Sequence, residues 1–256
     1  MKKIVLMLSL SIIFLFNGSV LAKSYEVIRF GVDPNYAPFA YKDNTGQLVG
    51  FEVDIGNAIC AHLDVRCQWV EIDYDAMIPS LKAGKIDAIL ASMSITAARL
   101  KVIDFTSEVF SSPTAMVYRQ GTRLEAPSGQ SVGYLQGSIQ EVYAKQVLAK
   151  AGMKVVAYPD QEQVYADLIT GRLQASLQDA QQARSGFLRS PRGAGFVLGP
   201  VIESELMPAK SAIGLAKGNA ALKGMLDQGL AALHTDGTYA RLQDQYFDGM
   251  DMFSGN

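Results

Sequence analysis

Residues 86–106 combine small hydroxyl side chains with one arginine, a set of groups that can bind a charged small molecule. The stretch predicts a short buried strand, followed by a bend that contains Ser92 and Ser94. A helix follows, with Thr96 as its cap and Arg99 in its first turn. A planar guanidinium binds a carboxylate through paired hydrogen bonds, and nearby hydroxyl groups can accept from an ammonium. The stretch therefore favours a ligand that carries both charges, such as an amino acid.

The same side chains also have a purely structural interpretation. Ser92 and Ser94 would then satisfy the backbone of their own loop, and Arg99 would pair with a surface acid. Composition alone favours this structural interpretation, so a second observation has to decide between the two.

A repeated pattern further along the chain supports the binding interpretation. Residues 81–88 and 168–175 share the pattern Leu-x-x-Gly-basic-aliphatic-polar-Ala, which predicts a helix end, a glycine cap and a strand start in each unit. At the same distance from its leucine, the first unit has Ser92 and the second has Asp179. Open α/β sheets bind ligands beyond the carboxyl ends of their strands, so both polar groups could face one cleft. Asp179 could instead cap the helix that begins at Ala180.

A further candidate feature is the turn Gln136-Gly137-Ser138-Ile139, which follows a strand predicted at 131–135. It opens a helix that is predicted to run to about Ala151. Free backbone N–H groups at such a helix start attract anions, so a carboxylate could be held here. The signal is weak by itself, because any strand–turn–helix unit can contain a glycine.

Residues 1–22 are typical of a secretory signal peptide. Two lysines precede an apolar run from Ile4 to Phe16, and small residues lead to a predicted cleavage after Ala22. The run is too short for a stable membrane span, and an uncleaved anchor is the alternative. Lys23 rather than a cysteine follows, which argues against a lipid anchor. We therefore expect a mature protein in an exported, oxidising compartment.

Charge and cysteine content narrow the function classes. Removal of the two signal-peptide lysines changes the formal charge from -2 to -4, which disfavours nucleic acid as a partner. Cys60 and Cys67 are predicted to form a disulfide, which suits an exported chain. A structural zinc site would need more ligands than the nearby His62 supplies. We therefore expect no metal and no cofactor.

The rest of the chain predicts alternating strands and helices, which is typical of α/β proteins. Phe110-Ser111-Ser112-Pro113 interrupts the apolar periodicity and is a candidate crossing between two lobes, with a plain loop as the alternative. Gly199-Pro200 and Met207-Pro208 bracket a second candidate crossing.

Seven stretches, in this order and spacing, carry a family resemblance: Gly31-Val32-Asp33-Pro34-Asn35-Tyr36-Ala37-Pro38-Phe39, Leu48-Val49-Gly50-Phe51-Glu52-Val53-Asp54, Ile78-Pro79-Ser80-Leu81, Ser92-Met93-Ser94-Ile95-Thr96, Asp104-Phe105-Thr106, Leu135-Gln136-Gly137-Ser138 and Asp236-Gly237-Thr238-Tyr239. The mature chain resembles the periplasmic solute-binding proteins of ATP-binding-cassette (ABC) importers for polar amino acids. Within that group it is most similar to the receptors for lysine, arginine and ornithine and for histidine.

The resemblance implies an α/β fold of two lobes, the type II periplasmic binding protein fold. Each lobe would be a mostly parallel sheet flanked by helices, and two hinge crossings would join the lobes. The implied boundaries are 23–111 with 211–256 for lobe 1, 112–203 for lobe 2 and 204–210 for the second crossing.

The resemblance also implies a set of ligand-binding residues. Arg99 would bind the ligand α-carboxylate, helped by backbone N–H groups near Ser94 and at Ser138 and Ile139. Asp179 would bind the α-ammonium together with the Ser94 hydroxyl and the Ser92 carbonyl. Tyr36 and Tyr74 would flank the ligand side chain, and Asp33 would face its far end. The complete predicted set is Asp33, Tyr36, Tyr74, Ser92, Met93, Ser94, Arg99, Ser138, Ile139 and Asp179.

Aromatic rings and an acid at the tip of the site favour arginine, with lysine and ornithine as further ligands. Histidine, glutamine or an opine-type conjugate is the alternative. The resemblance implies a monomeric receptor in the periplasm, without enzymatic activity, that delivers its ligand to inner-membrane ABC permease subunits. An enzyme or a sensory protein on the same fold is the competing hypothesis; an enzyme would need a positioned acid or base, for which Glu52 and Asp33 are the available carboxylates.

Overall fold

A computed structural model describes residues 25–124 and 129–252. The predicted signal peptide lies outside these residues. Within them, no helix has the length and apolar character that a membrane crossing requires.

Strands and helices alternate along the described chain, as predicted. The strands are β1 (Val27–Val32), β2 (Asn35–Tyr36), β3 (Ala40–Lys42), β4 (Leu48–Val49), β5 (Arg66–Glu71), β6 (Ala88–Ile89), β7 (Ile103–Ser111), β8 (Thr114–Arg119), β9 (Ser131–Leu135), β10 (Lys154–Tyr158), β11 (Ala175–Asp179), β12 (Phe196–Val201) and β13 (Lys210–Ala216). The α-helices are α1 (Phe51–His62), α2 (Met77–Lys82), α3 (Ala97–Leu100), α4 (Ile139–Tyr143), α5 (Gln161–Ile169), α6 (Ala180–Gln182), α7 (Ala220–Thr235) and α8 (Thr238–Phe247).

Two five-stranded sheets define two lobes. The first sheet has the order β5-β1-β6-β13-β7 and the second has the order β10-β9-β11-β8-β12. The pairings show that four strands of each sheet run in one direction, and that only β13 and β8 run against the others. The expectation of two mostly parallel sheets is therefore confirmed.

The chain passes between the two sheets twice. It leaves the first sheet at the end of β7 and enters the second at β8, and it returns between β12 and β13. The first lobe is therefore built from both ends of the chain, because β13, α7 and α8 pack with the N-terminal elements. The lobe boundaries given above stay a prediction, since the sheets do not reveal the residues at which a hinge bends.

A cluster of aromatic rings fixes the loop that follows β1. Phe39 stacks on Phe110 with ring centroids 4.9 Å apart, and it also contacts Phe51 and Phe247 at 6.2 and 5.2 Å. These four side chains are fully buried. Because Phe39 lies three residues after Tyr36, the cluster holds the preceding loop against the first lobe.

The predicted disulfide is confirmed. Cys60 near the end of α1 is bonded to Cys67 in β5, with their Cα atoms 5.8 Å apart. The bond therefore ties a helix of the first lobe to the edge strand of its sheet.

Candidate functional site

A cavity lies between the two lobes, where β6 and β11 end. It is lined by Asp33, Tyr36, Glu52, Tyr74, Ala91, Ser92, Ser94, Leu135, Ser138, Gln140 and Asp179. These side chains come from both lobes, and most of them are polar or aromatic. A concave site with a few convergent polar groups is the usual form of a small-molecule binding site.

Arg99 lies at one end of this cavity and is only 9% exposed. Thr96 accepts from its amide and caps α3, as predicted. The guanidinium Nη1 donates to the Ser94 carbonyl at 2.8 Å, and Nη2 donates to the Tyr74 hydroxyl at 3.2 Å and the Gly137 carbonyl at 3.1 Å. Arg99 does not itself line the cavity but contacts two residues that do. No described carboxylate forms an ion pair with it, so the surface pair of the structural interpretation is not formed.

Asp179 is the last residue of β11 and lies on the cavity wall of the second lobe. Its carboxylate accepts from the Tyr36 hydroxyl and from Nε2 of Gln140, both at 2.8 Å. Burial raises the pKa of Asp179 to about 6, while these hydrogen bonds and the charge of Arg99 act in the opposite direction. The side chain makes no capping bond to α6, so the helix-cap interpretation is wrong.

Asp33 follows β1 and is 4% exposed. One carboxylate oxygen accepts from the Asn35 amide at 3.0 Å, and the other is buried without a hydrogen-bond partner. Burial raises the pKa of Asp33 to about 6. The cavity therefore has a carboxylate oxygen that is desolvated and unpaired, an arrangement that a cationic group of a ligand would stabilise.

The two serines after β6 differ in their hydrogen bonds. Ser92 donates its amide and its hydroxyl to Glu52, at 2.7 and 3.0 Å. The carbonyl of Ser94 accepts from Arg99, whereas its hydroxyl makes no hydrogen bond with the described residues. Of the two hydroxyl groups, that of Ser94 is therefore the one available to a ligand.

The remaining predicted residues occupy different places. Tyr36 and Tyr74 both line the cavity. Ser138 also lines it, but its hydroxyl donates to the Leu135 carbonyl and caps α4. Met93 and Ile139 are buried in the cores of the first and second lobe, respectively, and do not line the cavity.

The chain matches the model of one protein family, the bacterial extracellular solute-binding proteins, family 3, over residues 28–249. The chain belongs to this family.

Individual relatives agree with that assignment. The chain is 41% identical to the lysine/arginine/ornithine-binding periplasmic protein of Escherichia coli (strain K12), over 97% of this chain and 98% of that protein. It is 38% identical to the histidine-binding periplasmic protein of the same strain, over the whole of both chains. Among solved structures, an ancestral arginine-binding protein bound to arginine is similar with a TM-score of 0.81 and 31% identity, covering 87% of this chain and 98% of that one.

Several residues that line the cavity of this solute-binding protein are not in the predicted ligand-binding set, namely Glu52, Ala91, Leu135 and Gln140. Gln140 directly follows Ser138 and Ile139 in the chain. Its distance from Asp179 depends on how α4 packs relative to β11. The sequence offers Glu52 only as a carboxylate that an enzyme could use. Its contact with Ser92, 40 residues away, carries no sequence signal.

Direct contacts cross the cleft of this solute-binding protein, so the two lobes lie in a closed arrangement. Besides the bond between Tyr36 and Asp179, Nε2 of Gln182 donates to the Ala37 carbonyl at 2.9 Å. Gly186 lies so close to that carbonyl that an added Cβ would be 2.0 Å from its oxygen.

The described residues contain no group of three or more histidine, cysteine, aspartate or glutamate side chains arranged to hold a metal ion. The charged side chains and tyrosine rings that line the cavity offer charge recognition and ring stacking.

Proposed function

We propose that this protein is a periplasmic receptor that binds a basic L-amino acid between its two lobes and delivers it to the permease subunits of an ABC importer. Arginine is the preferred ligand, and lysine and ornithine share the site. One observation carries the proposal. A buried carboxylate, Asp179, lies on one wall of the cavity, and a buried guanidinium, Arg99, lies directly behind Ser94 and Tyr74 of the other wall. Each has only uncharged hydrogen-bond partners.

A zwitterion matches this pair of charges. The guanidinium of Arg99 binds the ligand α-carboxylate, because it offers more N–H donors than its present neutral acceptors use. The α-ammonium binds to Asp179 and to the free hydroxyl of Ser94. Buried charges are stable only when they are paired, so a ligand that pairs both at once binds strongly.

The rest of the cavity selects the ligand side chain. Tyr36 and Tyr74 provide aromatic faces on which a flat guanidinium stacks. The unpaired oxygen of Asp33 accepts from the cationic end of that side chain. Relatives named for arginine, lysine and ornithine agree with this choice. Histidine is the second candidate, because a relative of similar identity is a histidine-binding protein.

Closure is part of the mechanism. A ligand held by Arg99 and Asp179 contacts both lobes only when the cleft is closed, and this difference in contacts shifts the population from open to closed. The closed form is then the one that the permease recognises. A dissociation constant of about 1 μM corresponds to a binding free energy of about -8 kcal/mol. Two ionic contacts and ring stacking can supply it if they exceed the entropy cost of immobilising the ligand and the two lobes.

An exported location is consistent with several features. The first 22 residues have the pattern of a cleavable signal peptide, and the relatives above are named periplasmic. The bond between Cys60 and Cys67 is of a kind that persists in oxidising compartments.

Isothermal titration calorimetry of the mature protein against arginine, lysine, ornithine, histidine and glutamine tests the proposal. The protein is first unfolded, dialysed and refolded to remove any co-purified ligand. We expect the tightest binding for arginine and weak or no binding for glutamine. Tighter binding of histidine or glutamine would overturn the ligand assignment, and no binding in a thermal-shift screen of all twenty amino acids, ornithine and citrulline would overturn the receptor role.

A further inference from the structure

Ser92 has an unusual backbone conformation for its position. Its φ is 52°, in the left-handed region that residues other than glycine rarely adopt. The other non-glycine residues with positive φ in the described chain are Asp64 and Asp248, which lie next to helix ends. Ser92 instead lies on the cavity wall and is 6% exposed. Strain of this kind persists only where the surroundings enforce it.

Hydrogen bonds fix the backbone on both sides of Ser92. Before it, the Leu90 amide donates to the Gly31 carbonyl at 3.1 Å, which anchors the end of β6 to β1. After it, the Met93 carbonyl accepts from the Ala212 amide at 3.1 Å, and Ser94 forms a bridge with Ser211. The turn at Ser92 therefore joins two segments that are each fixed to a strand of the first sheet.

Glu52 provides two of the contacts that hold this turn, and the Ser211 hydroxyl adds a third by donating to the Ser92 carbonyl at 3.4 Å. Glu52 lies in the first turn of α1, is 2% exposed, and accepts the Ser92 amide with one carboxylate oxygen and the Ser92 hydroxyl with the other. Both donors of Ser92 are thereby used within the protein. No described lysine, arginine or histidine forms an ion pair with Glu52.

We propose that Glu52 is a positioning residue, which holds Ser92 in the left-handed conformation and thereby sets the backbone from Ser92 to Ser94 for the ligand ammonium. Glu52 acts as a hydrogen-bond acceptor for Ser92 and not as a counter-charge for the ligand. This inference rests on the proposed receptor function for the identity of the ligand, but the link between Glu52 and Ser92 exists without it.

Substitutions at position 52 distinguish the two roles, hydrogen-bond acceptor for Ser92 and counter-charge for the ligand. A glutamine at position 52 can accept the Ser92 amide with its carbonyl oxygen and donate to the Ser92 hydroxyl with its amide nitrogen, so it preserves the turn without the charge. An alanine removes both contacts. The raised pKa of Glu52, about 7 because of burial, also shows that its full charge is costly in this place.

The first test uses position 92 and leaves Glu52 intact. Ser92→Ala and Ser92→Gly both lose the hydroxyl, but only glycine adopts positive φ without strain. When the binding-competent conformation becomes a minor population, the apparent dissociation constant rises in inverse proportion to that population. We expect Ser92→Ala to weaken arginine binding about tenfold and Ser92→Gly less than about threefold. Equal losses in the two variants would overturn the proposal.

The second test changes Glu52. We expect Glu52→Ala to weaken arginine binding about 30-fold, Glu52→Gln less than about threefold, and Ser92→Gly to recover most of the loss when added to Glu52→Ala. A double variant no better than Glu52→Ala, or a Glu52→Gln as weak as Glu52→Ala, would show that the carboxylate acts in another way. If Glu52→Ala does not fold, the comparison at position 92 decides.

A ligand-free measurement separates this inference from the proposed function. Hydrogen exchange of the Ser92 amide reports the contact with Glu52 directly, and we expect faster exchange in Glu52→Ala than in Glu52→Gln or wild type. If wild type binds no amino acid but this ranking holds, the receptor role fails and the positioning role of Glu52 at the turn remains. Equal exchange in all three proteins overturns the positioning role, whatever the ligand.

Discussion

The two walls of the cleft hold opposite charges by similar means. In the first lobe, Arg99 donates only to carbonyl and hydroxyl oxygens, and in the second lobe, Asp179 accepts only from a hydroxyl and an amide. On the outer surface, by contrast, Arg29 and Asp87 form an ordinary ion pair at 2.9 Å. Each charge in the cleft is oriented by neutral groups and stays available for a charged partner. The two lobes therefore supply opposite charges in similar neutral surroundings, and the proposed zwitterion site needs a contribution from each.

Removal of the carboxylate should have the largest effect. We expect Asp179→Ala to weaken arginine binding by at least about 100-fold, because it leaves the ligand ammonium buried without a counter-charge. Glu162→Gln, which changes an exposed acid of the same lobe that pairs with Arg192, is the matched control and should bind normally. Calorimetric titration measures both. Near-normal binding by Asp179→Ala would show that the second lobe does not bind the ligand ammonium through this carboxylate.

Arg99→Lys tests the other wall with the charge retained. Lysine has one ammonium group instead of a planar fork, so it cannot hold a carboxylate and reach Ser94 and Tyr74 together. We expect a loss of about 10- to 50-fold in arginine affinity, smaller than for Asp179→Ala. A lysine variant with wild-type affinity would mean that the first lobe contributes charge alone.

The pH dependence of binding should follow the carboxyl groups of the cavity. Burial raises the pKa of Asp33 and Asp179, the two carboxylates proposed to face cationic groups of the ligand, to about 6. Burial also raises the pKa of Glu52 to about 7, but Glu52 bonds to Ser92, so its ionisation should affect stability rather than affinity. A cationic ligand favours the ionised carboxylates, so arginine affinity should decrease as the pH falls from about 7.5 to about 5.5.

Without ligand, the stability of the folded protein changes with pH in the opposite direction. Because the raised pKa values mean that the folded state binds more protons than the unfolded state, these groups lower the free energy of unfolding as the pH rises from about 4 to about 7. The increase in Tm caused by saturating arginine should therefore grow over this range. A thermal-shift series with wild type and Asp33→Asn measures it, and a shift that does not vary with pH would contradict the assignment.

Closure itself can be tested without a change in the cavity lining. Gly186→Ala places a methyl group against the Ala37 carbonyl of the other lobe, which is compatible only with a more open cleft. We expect about a tenfold weaker affinity, a faster dissociation rate and an unchanged Tm without ligand. Gly224→Ala is the control, because an added Cβ there meets no atom within 4 Å. Equal affinities in the two variants would show that this contact does not limit closure.

The smallest effect on binding is expected from loss of the disulfide. The double variant Cys60→Ser, Cys67→Ser removes a cross-link between cysteines that are 7 positions apart in the sequence. Its loss should lower the free energy of unfolding by about 2–3 kcal/mol. Arginine affinity should stay unchanged, since neither residue lines the cavity. Urea unfolding and calorimetry measure the two quantities. A clear loss of affinity would mean that the ligand contacts of the first lobe depend on the link between α1 and the edge strand β5.

Some of this arrangement could be predicted from the sequence, because local signals carry it. The glycine-capped repeats predicted that Ser92 and Asp179 follow corresponding strands, and both line the same cavity. The cap of Thr96 and the strand at 131–135 follow from local side-chain and periodicity rules. These features need no knowledge of distant contacts.

Other features depend on long-range packing and have no local signal. The helix predicted from Ser138 to Ala151 is α4 followed by a π-type turn over Ala144–Leu148. Helix α4 packs against β9 and the π-type turn packs against β10, contacts that no local pattern shows. The left-handed turn at Ser92 exists because Glu52 and the anchored flanks enforce it. Serine has no intrinsic preference for that conformation, so the sequence alone could not reveal it.

The order of strands in the first sheet has a consequence for folding. Strand β13 separates β6 from β7, so the N-terminal strands have no direct hydrogen-bonded route to β7 until the chain has continued beyond Lys210. The second sheet uses strands from one continuous stretch, β8 to β12. When the chain folds from its N-terminal end onward, the second lobe can therefore complete its sheet first, and the first lobe closes around the returning C-terminal segment.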